Sequence, residues 1–366
     1  MKDRDSGERR IRDGESGSAA LVVAACCAAF DADADAAETV GRDEEVDISG
    51  IVAYARRHRV EGLARLGFER MAATPLAAAL RDDAARIARD NLLIAVEMKR
   101  LDRAFAGAAI DRLFLKGLTL AALCYDAPMA KAGWDIDILV DEASLDQAAN
   151  LLEHLDYRLV EPDSRAALAS WHRRKIESVW AHRRSGLHVE LHTRLTPSRS
   201  MLPLVGLGSP RQSVDVAGHR FETLADAPLL AYLAAHGASS LWFRLKWPVD
   251  FAAFAHHLGP RLETVAREAD RLGEGRALRL ALAVSNRLFA TPVPPSLGSA
   301  GDRIDRWMLG AALDQLTGRR SLVEPGETRF GTAPIHLAGC AMPGTARGAW
   351  AEALRRTGDA LLHRRS

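Results

Sequence analysis

The chain has 366 residues, 48% hydrophobic and 27% charged, and its 49 basic and 48 acidic side chains leave a net charge of +1. That length buries a full core and has room for two lobes. Balanced charge gives no basic field that would argue for DNA as a partner, and no acidic excess that would argue for wholesale disorder. The four cysteines, Cys26, Cys27, Cys124 and Cys340, show neither metal-type nor redox-type spacing. They read as reduced thiols of a cytoplasmic protein.

In chain order, residues 1–17 are polar and mixed in charge and read as a disordered tail. SAALVVAACCAAF follows as an apolar run, and its VAAC is similar to a lipoprotein cleavage box. The preceding segment is long and mixed in charge, and the run is too short to span a bilayer, so a buried first helix and no membrane association are expected. Residues 18–109 form a helical region. VDISGIVAYARRHRVEGLARLGFERM carries apolar positions at three- and four-residue spacing. TPLAAALRDDAARIARDNLLIAVEMKRLDRAFAGA reads as one long amphipathic helix opened by threonine–proline.

The pattern changes at Ile110, and residues 110–222 read as an α/β core. IDRLFLKG is a short strand ending in glycine, LTLAALCY a helix, DAPMAKAG a loop and WDIDILVD a strand. SLDQAANLLEHLDYRLV is a serine-capped helix running into another strand. SWHRRKIESVWAHRRS is a basic, tryptophan-containing stretch. GLHVELHTRL is an alternating strand, with Val189 and Leu191 opposite His188, Glu190 and His192. Short strands alternating with helices make an α/β segment. Residues 223–366 turn helical again: DAPLLAYLAAHGASSLWFRLKWPVDFAAFAHHL gives two helices, and further helical patterns follow around the loop TPVPPSLGSAG.

The chemistry concentrates on the WDIDILVD strand. Side chains alternate across a strand, so Ile136, Ile138 and Val140 face a core while Asp135 and Asp137 share the other face. Paired carboxylates can share a proton, pair with arginines or hold a divalent cation. Magnesium takes oxygen ligands from one or two carboxylates and from substrate phosphates, and ions flanking a phosphorus neutralise the charge that develops during transfer. Glu190 is the candidate third carboxylate, from a strand placed to lie beside the first. Gly117 lets the backbone approach a phosphate, and Lys116 adds a point charge. His188 and His192, flanking Glu190, read as surface or supporting histidines rather than zinc ligands. The basic residues Arg173, Arg174, Lys175, Arg183 and Arg184 are a solvated face or a place for an acidic acceptor.

These motifs resemble those of a bacterial family of uncharacterised nucleotidyltransferases within the DNA polymerase β-like superfamily. The family's LKG, DIDILV and ELH motifs stand at Leu115–Gly117, Asp135–Val140 and Glu190–His192. Its later histidine and W-x-R-L-K-W-x-x-D run stand at His236 and Trp242–Asp250. The resemblance covers about residues 45–320. It implies an α+β fold, a polymerase β-like nucleotidyltransferase α/β core with helical N-terminal and C-terminal segments. It further implies Mg2+, with Mn2+ as a substitute, and a nucleoside triphosphate such as ATP as co-substrate. The transfer it implies places a nucleoside monophosphate on a hydroxyl of a small molecule or peptide and releases pyrophosphate. Asp135, Asp137 and Glu190 would be the catalytic metal ligands; Lys116, Gly117, Thr119, Arg244, Lys246 and Asp250 would face the nucleotide. The sequence departs from the pattern in three places. Leu118 follows Gly117 where relatives carry serine, Lys131 is the nearest base before the D-x-D strand, and Thr193 stands where a tryptophan is usual. The alternatives are a non-catalytic nucleotide-binding module that kept the fold, and a metal-dependent phosphohydrolase.

Overall fold

The computed structural model describes residues 15–31, 47–198, 201–273, 275–298, 301–343 and 346–363. Most of the expected tail therefore lies outside the described residues, and its last three residues already belong to helix α1 (Glu15–Phe30). A helix that is apolar all round belongs inside a protein. Accordingly Ala19, Val22, Ala25, Cys26 and Ala29 of α1 are fully buried. Among the described residues no helix is long and apolar enough to cross a membrane.

α2 (Ile48–His58) starts at Asp47, whose carboxylate accepts the Gly50 amide at 2.9 Å, an N-cap that satisfies one orphan donor. α3 (Glu61–Arg70) crosses α1 at Gly67, where a Cβ would meet the Ala25 carbonyl oxygen at 1.7 Å. The obstacle is backbone, which cannot rotate aside. Gly67→Ala should therefore cost about 1–3 kcal/mol, the usual range for overpacking, read as a lower urea midpoint at unchanged slope.

The single long helix expected from Thr74 onward is two: α4 (Thr74–Ala79) and α5 (Arg81–Gly107). Leu80 between them leaves helical geometry (φ −102°, ψ 6°) and is fully buried. Packing of Leu80 here overrides the local helical preference.

The sheet is built from β1 (Arg112–Phe114), β2 (Asp135–Val140), β3 (Tyr157–Glu161), β4 (Glu177–His182) and β5 (His188–His192), in the order β1-β2-β5-β4-β3. β2 and β5 are parallel, and the other neighbours are antiparallel. Between strands lie α6 (Leu118–Cys124), α7 (Leu145–His154) and α8 (Leu168–His172). The helix expected to carry a serine cap has none: the Ser144 side chain makes no cap bond, and Asp141 instead accepts the Ala143 amide at 2.8 Å. The basic stretch contains an inner strand: β4 lies between β5 and β3, burying Ser178 and Trp180 on one face. A hairpin follows, β6 (Arg211–Val216) and β7 (His219–Leu224). Its turn residues Ala217 and Gly218 both have positive φ (51° and 76°), the backbone that suits a tight hairpin.

The C-terminal part comprises α9 (Asp226–Ser239), α10 (Lys246–Leu258), α11 (Leu262–Asp270), α12 (Gly275–Phe289), α13 (Arg303–Leu316), α14 (Ala333–Ala341) and α15 (Ala346–His363). Two cores meet at the sheet. Ile136, Ile138, Val140, Val189 and Leu191 pack with Ile94 and Met98 of α5 and Leu152 of α7. Leu113, Leu115 and Leu139, on the other face, join a larger core with α1, α3, α9, α10 and α12. The face that carries the aspartates thus looks toward the helical half of the molecule.

Candidate active site

The register of the central strands builds the site. Parallel pairing sets Asp137 beside Glu190 and Leu139 beside His192, and antiparallel pairing sets Glu177 opposite His192. With a side-chain period of two, all four polar groups project from one face. Asp137, Glu190 and His192 each offer a ligand atom within 4.8 Å of the others.

Asp137 is the buried centre. Its Oδ1 accepts from Lys116 Nζ at 2.6 Å and from His192 Nε2 at 3.0 Å, while its Oδ2 is buried with no hydrogen-bond partner among the described residues. Glu190 Oε2 lies 3.8 Å from Lys116 Nζ and 3.7 Å from His192 Nε2. His192 Nδ1 lies 3.3 Å from Glu177 Oε2. The carboxylates are therefore not left to repel one another: two cations are interleaved with them. Burial pushes the Asp137 carboxyl up, but Lys116 and then His192 outweigh it and hold it well below the usual carboxylate range. Burial opposes charge on His192 too, yet its hydrogen bond to Asp137 and the neighbouring Glu190 carboxylate push it up to about 10, which favours the imidazolium. Burial opposes the Lys116 charge, and Asp137 foremost overrides it, holding the amine well above its ordinary value. Glu190 and Glu177 are raised, chiefly by burial.

The remaining expected site residues divide. Asp135 shares the face and is half-buried, but it stands outside the cluster of three; its charge is among those that favour the ammonium forms of Lys116 and Lys246. Gly117 sits at φ 64°, ψ −127°, which glycine alone adopts without strain, with open space where a Cβ would point. Thr119 is fully buried and donates its hydroxyl to the Lys116 and Leu115 carbonyls at 3.0 and 3.4 Å, so it is turned back toward the segment that precedes its helix. Lys246 opens α10, and burial, then Lys116 and Lys131, push it down to about 8. Arg244 pairs with Glu324 at 2.8 Å, which also lies 3.6 Å from Arg57. Asp250 is buried against Lys131 at 3.3 Å and Tyr125 at 3.4 Å, where it ties α10 to the loop before β2. His236 is held well below its ordinary value by burial and then by Lys116, and Trp242 is fully buried.

Two residues at the site were not anticipated. Glu177 belongs to a strand hidden in the basic stretch; the alternation of ESVWAH, with Ser178 and Trp180 on one side, is its signal. Arg59, at φ 58°, places its guanidinium 4.9 Å from the centroid of the half-exposed Trp134 ring, next to Asp135. Nothing in its local sequence announces that.

The donor set suits a divalent cation. Two carboxylates supply hard oxygens, the imidazole supplies a nitrogen once deprotonated, and the unpartnered Asp137 Oδ2 supplies a buried acceptor. Lys116 and the imidazolium already balance Asp137, so a cation gains most when an anionic partner draws Lys116 away. A family model described as "Uncharacterised nucleotidyltransferase" matches residues 44–290. No curated protein and no solved structure matches the chain.

Proposed function

The chain belongs to the family of uncharacterised nucleotidyltransferases, and from that premise we propose that it moves a nucleoside monophosphate from a nucleoside triphosphate to an acceptor hydroxyl with Mg2+ or Mn2+. The observation that carries the reading is Glu190 beside Asp137 on adjacent parallel strands, with an unpartnered Asp137 oxygen. The acceptor oxygen forms a bond to the α-phosphorus, the bond to the β-phosphate breaks, and pyrophosphate leaves with the electron pair. Asp137, Glu190 and, once deprotonated, His192 would hold the divalent ion, with Asp135 at the edge of the same face. The ion's chemistry is charge neutralisation on the phosphates. Glu190, on the strand beside Asp137, would take the acceptor proton. Lys116 exchanges Asp137 for a triphosphate oxygen, and Gly117 leaves room for that approach. Lys246 and Arg59 add positive charge from the helical side.

Pyrophosphate release on incubation with each triphosphate and Mg2+ tests the reading; release of inorganic phosphate alone would favour a phosphohydrolase, and no release a binding module. The Lys116–Asp137 pair gives a sharper expectation. In wild type, Mg2+ and triphosphate together should raise the melting temperature more than the sum of each alone, with a gain of about 2.7 kcal/mol at 100 times Kd. In Lys116→Met, Mn2+ alone should stabilise more than in wild type, while triphosphate binding weakens. A thermal shift indifferent to metal in both proteins would sink the mechanism.

A further inference from the structure

A cavity of about 290 Å3 opens between α12, α13 and the loop that joins them. The sequence of α12 builds its long wall. Arg279, Ala283 and Arg287 follow one another at four-residue spacing, so they share one helix face. Ala283, the small residue between two arginines, leaves the hollow. Leu280 and Leu297 form a buried apolar floor, and Val293 and Leu309 extend it. None of the residues proposed for nucleotidyl transfer lines this space. The loop and α13 lie beyond residues 44–290, so part of the wall stands outside the segment shared with the family.

The charge around the hollow is unbalanced. Arg279, Arg287 and Arg306 line it, against one carboxylate, Asp305. That carboxylate is engaged elsewhere: it lies 3.3 Å from Arg276 and accepts the Asp302 amide at 3.2 Å in the capping box of α13. Arg306 donates to the Gly301 carbonyl at 2.8 Å, which leaves its charge unmatched. The Arg279 and Arg287 guanidinium groups have no hydrogen bond or ion pair among the described residues. Adding the neighbours Arg276, Asp302 and Asp270 sets four guanidinium groups against three carboxylates, so the surroundings stay positive. Arg287 and Arg306 are exposed, whereas Arg279 is half-buried. Arginine stems commonly cover apolar surface and leave the head in water. Arg279 instead keeps an unpaired head beside an apolar floor.

We infer that this cavity binds a small amphipathic anion, an apolar body that ends in a carboxylate or a phosphate. The body packs against Leu280, Leu297 and Leu309, and the head pairs with Arg279, whose planar fork matches either group. The volume sets the size. A cavity of about 150 Å3 holds one benzene, so this one takes a body about twice as large, roughly an eight-carbon chain. The inference goes beyond the nucleotidyl-transfer reading and stands or falls without it.

Titration calorimetry of the full chain with octanoate, octyl phosphate, octanol and octylamine tests it. Octanoate or octyl phosphate should bind at least about tenfold tighter than octanol and octylamine, the scale of one charge-assisted pair. The tighter of the two identifies the head. Arg279→Met keeps the stem but removes the charge, and should bring both anions to the level of octanol. Ala283→Phe fills the hollow and should abolish binding of all four probes. Both positions are half-buried, and a melting temperature close to that of wild type verifies the fold. Equal affinity for the four probes, no binding of either anion, or an anion preference that survives Arg279→Met would overturn the inference. Octanoate binding that survives Ala283→Phe would overturn it as well. The four probes compared on wild type decide the matter even where a variant fails to fold.

Discussion

Replacing Asp137 by asparagine should cut transfer severely and weaken the metal-free fold as well. The carboxylate is the counterion of both Lys116 and the His192 imidazolium, at 2.6 and 3.0 Å in a buried setting. Two neighbouring carboxylates suggest repulsion, and on that view losing a charge would stabilise the protein. The observed pairing reverses the sign. Asparagine keeps an acceptor oxygen but leaves two buried cations undercompensated, and breaking a buried pair from one side costs about 3–5 kcal/mol. The retained hydrogen bonds place the expected loss near the lower end. Transfer should fall by roughly 10²–10³-fold, the scale for removing a group that organises transition-state charge. Urea unfolding at low temperature reads the first effect, and pyrophosphate release from the still-folded fraction reads the second. Adding Lys116→Met should recover part of the stability, because it removes one stranded cation, and should recover none of the activity. A single variant as stable as wild type would mean that the ion pairs contribute little, and one with wild-type turnover would remove Asp137 from the chemistry.

The juxtaposition of Asp137 and Glu190 could be read from the sequence because both strands obey a strict period of two. Ile136 and Ile138, with Val189 and Leu191, must share a core, and a slip of one residue would bury the carboxylates in it. The interleaved cations could not be read in the same way. Lys116 follows a strand end, where alternation no longer predicts direction, and His192 is geometrically equivalent to His188 in the pattern yet only His192 is buried. Arg59 and Glu324 come from opposite ends of the chain, and only tertiary packing brings them toward Asp135 and Arg244. Glu177 was hidden by composition: arginines and lysines on both sides make an inner strand look like a solvated face. Asp250, a motif position expected to face the nucleotide, is buried against Lys131 and Tyr125, a pairing that its local sequence does not announce.

Glu190→Gln should leave the fold nearly untouched and remove the reaction. Burial already pushes the Glu190 carboxyl toward its neutral form, so an uncharged amide of the same size resembles a state that the folded protein tolerates. The stability change should stay within about 1 kcal/mol. Lys116 at 3.8 Å and His192 at 3.7 Å lose little, since both make their shorter contacts to Asp137. Triphosphate binding should survive, because Asp137 and His192 remain to hold the ion and the proposed phosphate contacts rest on Lys116, Gly117 and Lys246 rather than on this side chain. Transfer should fall by roughly 10²–10⁴-fold, the scale of a lost proton acceptor, through kcat with the KM for triphosphate nearly unchanged. Paired measurements of pyrophosphate release and of the thermal shift with Mg2+ and triphosphate separate these effects. Loss of the thermal shift together with activity would make Glu190 a binding ligand alone. Retention of both would leave the enzyme reading resting on Asp137 without the neighbour that the parallel register places beside it.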